Sequence, residues 1–175
     1  ISSLVSLLTL LWPTWCSLLA PSAVDAALHP ALARLGCEAV RAAESHFAPM
    51  LSPTVAALTA AFAARPSACL LSVADSLVDA FAIGASPEVE TSFASLLDQL
   101  AASALATVAH LHMPIEEPAL LTALLGHADR QAKLLVPAIA ASSALPSLLG
   151  LAASMLGSCR QPEACDASMS LLCSV

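Results

Sequence analysis

The chain is poor in the residues that build β-sheets and tight turns. Tyr is absent, aromatic residues make up 3% of the sequence, and Gly occurs only 5 times in 175 residues. Ala and Leu are abundant instead, and both are strong helix formers, whereas strands favour aromatic and β-branched side chains. The composition therefore predicts an all-α fold and argues against a sheet-rich architecture.

Positive charge is also scarce. The sequence has 6 Lys and Arg against 13 Asp and Glu, which gives a formal net charge of −7. A protein that binds a nucleic-acid backbone needs clustered Lys and Arg to neutralise the phosphates. We therefore expect no nucleic-acid partner, and basic protein surfaces are the natural partners of so acidic a chain.

Hydrophobic residues make up 58% of the sequence and the mean hydropathy is +0.83, which raises the alternative of membrane helices. Two windows, 1–24 and 134–159, are long enough to cross a bilayer. Pro13 interrupts the first window, and Pro137 and Pro146 interrupt the second. No loop carries the basic cluster that orients membrane proteins. We therefore favour a fold without a membrane partner over a helical membrane segment.

The sequence lacks the motifs of common catalytic and metal sites: it contains no G-x-S-x-G, Walker loop, G-x-G-x-x-G, H-E-x-x-H or C-x-x-C. His110 and His112 precede Glu116 and Glu117, but residues two apart on a helix point to different faces, which argues against shared coordination. We therefore predict no enzyme activity, no cofactor and no metal. The 6 cysteines are interpreted as small buried hydrophobes in a reducing compartment.

Apolar residues recur at spacings of three and four in segments that Pro and turn residues separate. Short connections make neighbouring helices antiparallel, and no helix can bury its apolar face alone, so we predict HEAT-like helix pairs stacked in a right-handed α-solenoid, an ARM/HEAT superhelix. A closed bundle is the alternative. The predicted helices cover about 1–19 with a break near Pro13, 24–45, 50–64, 68–83, 88–112, 116–127, 129–141 as a shorter and interrupted helix, 143–157 and 162–175.

No exact repeat period is visible, which fits degenerate HEAT units and sets aside the sharp motifs of tetratricopeptide and ankyrin repeats. Residues 1–175 would form part of such a solenoid, cut from a longer chain at both ends. Trp12 and Trp15 are expected to be buried anchors between helix pairs. His127 is expected near a helix end, where a polar side chain suits the terminal carbonyls. In the helix 24–45, the predicted inward face consists of Leu28, Leu32, Leu35, Ala39 and Ala42.

Four carboxylates are candidates for partner recognition. Asp75 and Asp79 lie four residues apart and therefore share one helix face, and Glu88 and Glu90 suit the positive N-terminal end of the next helix. No nucleophile or basic partner lies near Asp75 and Asp79 in sequence. We interpret the four as an acidic edge that faces cationic partners, with ordinary solvated side chains as the alternative.

Several short pieces of the sequence resemble one known family. They are Leu11-Trp12-Pro13, Glu38-Ala39-Val40-Arg41, Phe47-Ala48-Pro49-Met50 with Pro53, and Cys69 with Ser76-Leu77-Val78-Asp79, followed by Leu145-Pro146-Ser147-Leu148 and Glu163-Ala164-Cys165. Together they are similar to the middle-to-late part of nuclear transport receptors of the importin-β (karyopherin-β) superfamily, in the transportin-SR and importin-thirteen group.

The resemblance implies a HEAT-repeat superhelix of the cytoplasm and nucleus that binds protein cargo and GTP-bound Ran, with the Ran contacts mainly in repeats outside this chain and nucleoporins as further partners. In the transportin-SR branch an Arg-rich helix binds phosphorylated Arg-Ser cargo. Its counterpart here is the helix 24–45, in which Arg34 and Arg41 match and are taken as cargo-facing. Because phosphate recognition needs several such side chains, phosphorylated cargo stays open. The alternative is an armadillo-like adaptor without Ran dependence.

Overall fold

The computed structural model describes residues 2–20, 28–110, 118–158 and 161–175, and these ranges contain helices and no strand. The all-α prediction is therefore confirmed. The predicted helical residues 24–27, 111–112 and 116–117 lie outside the described ranges. The helices are α1 (Ser2–Leu19), α2 (His29–Ala43), α3 (Ala48–Ala64), α4 (Ala68–Phe81), α5 (Pro87–His110), α6 (Pro118–Leu134), α7 (Val136–Ala141), α8 (Leu145–Ser158) and α9 (Pro162–Ser174), with a 3₁₀ turn at Glu44–Phe47.

The helices form pairs, and the pairs stack. α1 packs against α2, α3 against α4, α5 against α6, and α8 against α9. Short connections, such as residues 65–67 between α3 and α4, make consecutive helices antiparallel. α1, α3, α5 and α7 follow one another in a first layer, and α2, α4, α6 and α9 form a second layer. Contacts between neighbouring pairs of this kind are the arrangement of a helical solenoid.

The core is one continuous apolar cluster along the stack. In α4 and α5 the sequence periodicity predicts the buried face well, because residues three and four apart lie on one side of a helix. The spacing predicts Leu70, Val73, Leu77, Val78 and Phe81 in α4 and Phe93, Leu96, Leu97, Leu100, Ala104, Leu105 and Val108 in α5, and all of them except the half-buried Phe81 and Leu105 are buried.

Trp12 and Trp15 are buried anchors, as the sequence predicts. Their rings stack with centroids 4.5 Å apart, and the ring of Phe47 meets Trp12 edge-on at 4.8 Å. Both indole N–H groups have acceptors: Trp12 donates to Thr54 Oγ1 at 2.7 Å and Trp15 to the carbonyl of Leu32 at 3.0 Å. This cluster joins α1 to both α2 and α3 without leaving a buried indole nitrogen unsatisfied.

Two prolines lie inside helices, contrary to prediction. The break predicted near Pro13 is wrong, because α1 continues through it. α3 begins at Ala48, before the predicted start, so Pro53 lies in its second turn and not in its first. A proline in a helix interior costs about 3 kcal/mol. The buried side chains of Trp12 and Trp15, on either side of Pro13, hold the helix together across it.

The inward face of α2 also differs from the prediction. Leu28 and Leu35 are more than half exposed, at 51% and 57%, and Ala42 is exposed as well. Leu32 is half-buried, and only Ala39 of the predicted set is buried. Small side chains face the core instead because they allow α2 to approach the Trp15 ring closely. Besides Ala39, the buried face consists of His29, Ala33, Gly36, Cys37, Val40 and Ala43.

α6 is one continuous helix where the sequence predicts two, so the predicted end near His127 is wrong. His127 lies in the interior of α6 and its side chain is fully buried. The interruption comes at Leu135, shortly before Pro137. This position agrees with the restriction that a proline places on the backbone that precedes it.

Two helical stretches, His29–Ala64 and Pro87–Ala109, are long and apolar enough to cross a membrane by length and composition alone. They differ from the two windows considered in the sequence. The first is not one helix, because the 3₁₀ turn Glu44–Phe47 interrupts it. Both stretches contribute side chains to the apolar core of the stack.

Replacing Gly36 with Ala should destabilise the fold. A Cβ atom at Gly36 would lie 2.8 Å from Cζ2 of Trp15, whose buried ring cannot move aside freely. Such overpacking costs about 1–3 kcal/mol, more than the gain of up to about 1 kcal/mol from removing a helical glycine.

Gly150→Ala is the matched control, because nothing lies within 4 Å of its Cβ position in α8. This control should raise the free energy of unfolding measured by chemical denaturation, while Gly36→Ala lowers it. Equal stabilisation by both substitutions would contradict the packing described for Trp15.

Candidate partner-binding surface

Charged side chains are distributed unequally between the layers. In the first layer and α8, the described helices carry only Glu88, Glu90 and Asp98, all in α5. The second layer is therefore the charged side of the stack and the candidate surface for a protein partner. Its charged residues are Arg34, Glu38, Arg41, Asp75, Asp79, Asp129, Arg130, Lys133, Glu163 and Asp166.

Arg34, Glu38 and Arg41 form an exposed row on α2, since spacings of three and four place them on one side of the helix. Arg41 Nη1 donates to Glu38 Oε1 at 3.2 Å, and both side chains are 66% exposed. Arg34 lies beside Pro30 and Leu35 in a shallow groove. Within the described part of the chain no ion pair includes Arg34, so its guanidinium is available to an acidic group of a partner.

Asp75 and Asp79 share one face of α4, as predicted, and this face meets α6. Arg130 Nη1 donates to both carboxylate oxygens of Asp79, at 2.6 and 2.7 Å, and Arg130 Nε lies 3.7 Å from Asp75 Oδ1. The hydrogen bonds to Asp79 raise the pKa of Arg130, and they outweigh partial burial, which lowers it. The basic partner that sequence reasoning missed lies 51 residues away from Asp79, where no local pattern could reveal it.

The buried His127 completes this contact between α4 and α6. Its Nδ1 lies 2.7 Å from Asp75 Oδ1, and its Nε2 lies 3.0 Å from the side-chain nitrogen of Gln131. Because that amide nitrogen can only donate, we assign Nε2 as the acceptor and Nδ1 as the donor to Asp75. His127 thus links the surface carboxylates to the core.

Asp129 makes the corresponding contact between α6 and α9. Its carboxylate accepts hydrogen bonds from Ser174 at 2.6 Å and Ser170 at 2.9 Å, and Lys133 donates to it at 2.6 Å. Burial alone would raise the pKa of Asp129, but these hydrogen bonds and the charge of Lys133 lower it below its ordinary value. Adjacent residues of α6 therefore bind opposite neighbours: Arg130 binds α4, and Asp129 binds α9.

Asp98 of α5 holds the turn between α7 and α8. Its carboxylate accepts hydrogen bonds from Ser142 Oγ at 2.6 Å, Ser143 Oγ at 2.9 Å and the backbone N–H of Ala144 at 3.0 Å. Partial burial raises the pKa of Asp98, but these hydrogen bonds outweigh it and lower the pKa. An acid among apolar helix positions looks like a solvated residue in sequence, so this role carried no detectable signal.

Glu88 and Glu90 lie in the first turn of α5, as predicted. Glu88 is exposed, and hydrogen bonds from Ser86 and from its own backbone N–H lower its pKa. Glu90 is half-buried and lines a groove between α5 and Pro137 of α7. Among the residues that the structure describes, no guanidinium pairs with the exposed Glu88 or the half-buried Glu90, in contrast to Asp79.

The described residues contain no group of three or more His, Cys, Asp and Glu side chains that could hold a metal ion. His112, Glu116 and Glu117, which the sequence analysis considered, lie outside the described ranges. Cys16, Cys37, Cys69 and Cys173 are free thiols, and burial raises the pKa of Cys16 above its ordinary value.

A comparison with protein-family models matches residues 3–108 to the fourth TPR domain of Transportin-3/Importin-13. The chain belongs to this transportin-3/importin-13 family. The match runs from α1 almost to the end of α5 and confirms the resemblance seen in the short sequence pieces. The family is one of transport receptors and not of enzymes. No curated protein and no solved structure matches the chain.

The name of the matching domain classes its helix pairs as TPR, whereas the sequence pattern predicts HEAT units. Both terms denote antiparallel helix pairs that stack into a solenoid. The stacked helix pairs of this chain therefore fit both descriptions.

Asp98→Asn should destabilise the chain near neutral pH by about 1–3 kcal/mol, because an amide cannot accept all three hydrogen bonds. The folded-state pKa of Asp98 is lowered, so the stabilisation is complete above the ordinary Asp pKa of about 3.9 and is lost as the pH falls through the folded value. The difference in unfolding free energy between the parent and the variant should therefore shrink in acid.

Asp166→Asn provides the control, since Asp166 is exposed on α9 and no hydrogen bond to its side chain is seen among the described residues. Denaturation at several pH values measures both variants. A penalty for Asp98→Asn that is the same at neutral and at strongly acidic pH would contradict the account of the turn.

Proposed function

We propose that this chain is a segment of a nuclear import receptor that moves between cytoplasm and nucleus, binds protein cargo through the charged side chains of α2, α4 and the first turn of α5, and acts with Ran. The proposal is supported by its family membership together with one structural observation. That observation is the concentration of charge on the second layer of the solenoid. Apart from Glu88, Glu90 and Asp98, the described helices of the other layer offer no charged groups that could select a partner.

The candidate residues contribute to this proposal in different ways. Glu88 and Glu90 would attract basic groups of a cargo, and Arg34 would bind acidic ones. Arg41 shares its charge with Glu38 in an exposed pair. Asp75 and Asp79 are already engaged by Arg130, so their contribution to cargo recognition is smaller than their position on one face suggested.

The experiment reverses the two accessible carboxylates in the receptor that contains this segment. Glu88→Lys with Glu90→Lys should slow association with a basic cargo by about tenfold at low salt and flatten the salt dependence, because exposed charges mainly steer encounter. Asp75 and Asp79 are left unchanged, since reversing them would also break the contact between α4 and α6.

The control is Glu163→Lys with Asp166→Lys, which makes the same change of charge at exposed positions of α9. It should slow association less than the α5 variant does. If the association rates of parent and α5 variant coincide at every salt concentration, Glu88 and Glu90 take no part in cargo recognition.

A further inference from the structure

The helix pairs are fastened to one another by different numbers of polar contacts. We call the interface between two neighbouring pairs a junction, and we call it fastened in a layer where a hydrogen bond or ion pair joins its helices. The first junction joins α1 and α2 to α3 and α4, the second joins α3 and α4 to α5 and α6, and the third joins α5 and α6 to α7, α8 and α9. Each junction has one part in the first layer and one in the second.

The first junction is fastened in both layers. In the first layer the buried Trp12 of α1 donates to Thr54 of α3 at 2.7 Å. In the second layer the buried thiol of Cys37 in α2 lies 3.3 Å from the carbonyl oxygen of Ser72 in α4. Moving these pairs apart would break buried hydrogen bonds on both sides.

The third junction is also fastened in both layers. Asp98 of α5 accepts three hydrogen bonds from the turn before α8. In the second layer Asp129 and Lys133 of α6 bind Ser170 of α9. Hydrogen bonds to charged groups are among the strongest in proteins, so this junction resists opening.

The second junction is fastened in the second layer alone. There, Arg130 and His127 of α6 bind Asp79 and Asp75 of α4. In the first layer α3 packs against α5, but among the residues described no hydrogen bond or ion pair joins them. A groove runs between these helices, and its lining is mainly small or polar: Ala48, Leu51, Ser52, Val55, Ala56, Thr59, Ala60, Ala63, Ser92 and Gln99.

The connection across the second junction packs on the core through Ala82 and Ala85, but Ile83 and Gly84 are exposed. It runs from α4 to α5 through residues 82–86 and includes Gly84, whose φ of 73° glycine adopts without strain. Ile83 is 93% exposed, so its side chain does not anchor the connection to the core. Hinges are commonly connections of this kind, which absorb changes in backbone angles.

We propose that the stack bends at the second junction, where the pairs rotate about the α4–α6 contact and the groove between α3 and α5 opens and closes. Opening the second junction in the first layer breaks no hydrogen bond or ion pair among the described residues, whereas opening either other junction breaks hydrogen bonds in both layers. Because the α4–α6 contact in the second layer stays closed, widening the groove in the first layer makes the charged surface of the second layer more concave. The inference concerns the free chain and does not rest on cargo binding.

The test measures distance distributions between spin-label pairs across each junction of the 175-residue chain. Labels are attached through an introduced keto amino acid, which leaves the native cysteines unchanged. Exposed positions in the first layer and α8 suit the pairs: Ser17 with Ala64, Ala64 with Ala102, and Ala102 with Ala153. The distribution between Ala64 and Ala102 should be the broadest of the three.

Two double variants then test whether the middle distribution is broad because no polar contact joins α3 to α5 among the described residues. Ala60→Glu with Gln99→Arg places opposite charges on the two walls of the groove and should narrow the middle distribution. Ala60→Lys with Gln99→Arg is the matched control and should widen it, because like charges repel. The flanking distributions should change in neither case.

A middle distribution no broader than its neighbours would overturn the proposal, as would equal widths for the two charge variants. To test the pivot, Asp79→Asn with Arg130→Gln removes the α4–α6 ion pair at constant net charge. This variant should broaden the distance distribution between labels on α4 and α6, at the exposed Ser72 and Leu134. An unchanged α4–α6 distribution would also overturn the proposal.

Discussion

Two turns of α6, residues 127–133, hold two neighbouring helices at once, and the order of the second layer depends on them. His127 and Arg130 bind the carboxylates of α4, while Asp129 and Lys133 bind the serines of α9. Apolar side chains alone would bury their area in several similar registers, because dispersion and the hydrophobic effect are not directional. The charged hydrogen bonds of residues 127–133 select one register of α6 against α4 and one register of α6 against α9.

Residues 127–133 also show why part of the fold was predictable from the sequence and part was not. The apolar stripes of α4 and α5 follow from local spacing, and the structure confirms them. The contact of Asp75 with His127 joins residues 52 positions apart, and nothing in the local pattern of either helix indicates it. Without that contact in view, the sequence around His127 resembles a helix end.

Side-chain size explains the error in α2. Periodicity favours its leucines as the buried face, yet Gly36 faces the Trp15 ring so closely that a Cβ would lie 2.8 Å from it. Small residues therefore occupy the core side, and Leu28 and Leu35 remain exposed. The candidate site divides in the same way: the shared face of Asp75 and Asp79 was predictable from spacing, whereas their partner Arg130 was not.

The most direct test of the functional account measures cargo release from the receptor that contains this segment. A basic cargo is bound to the immobilised receptor, and Ran loaded with GTP or with GDP is then added. The account predicts that Ran-GTP releases the cargo and that Ran-GDP leaves it bound. Cargo that stays bound equally with both forms would indicate an adaptor without Ran dependence, and tighter binding with Ran-GTP would contradict an import receptor.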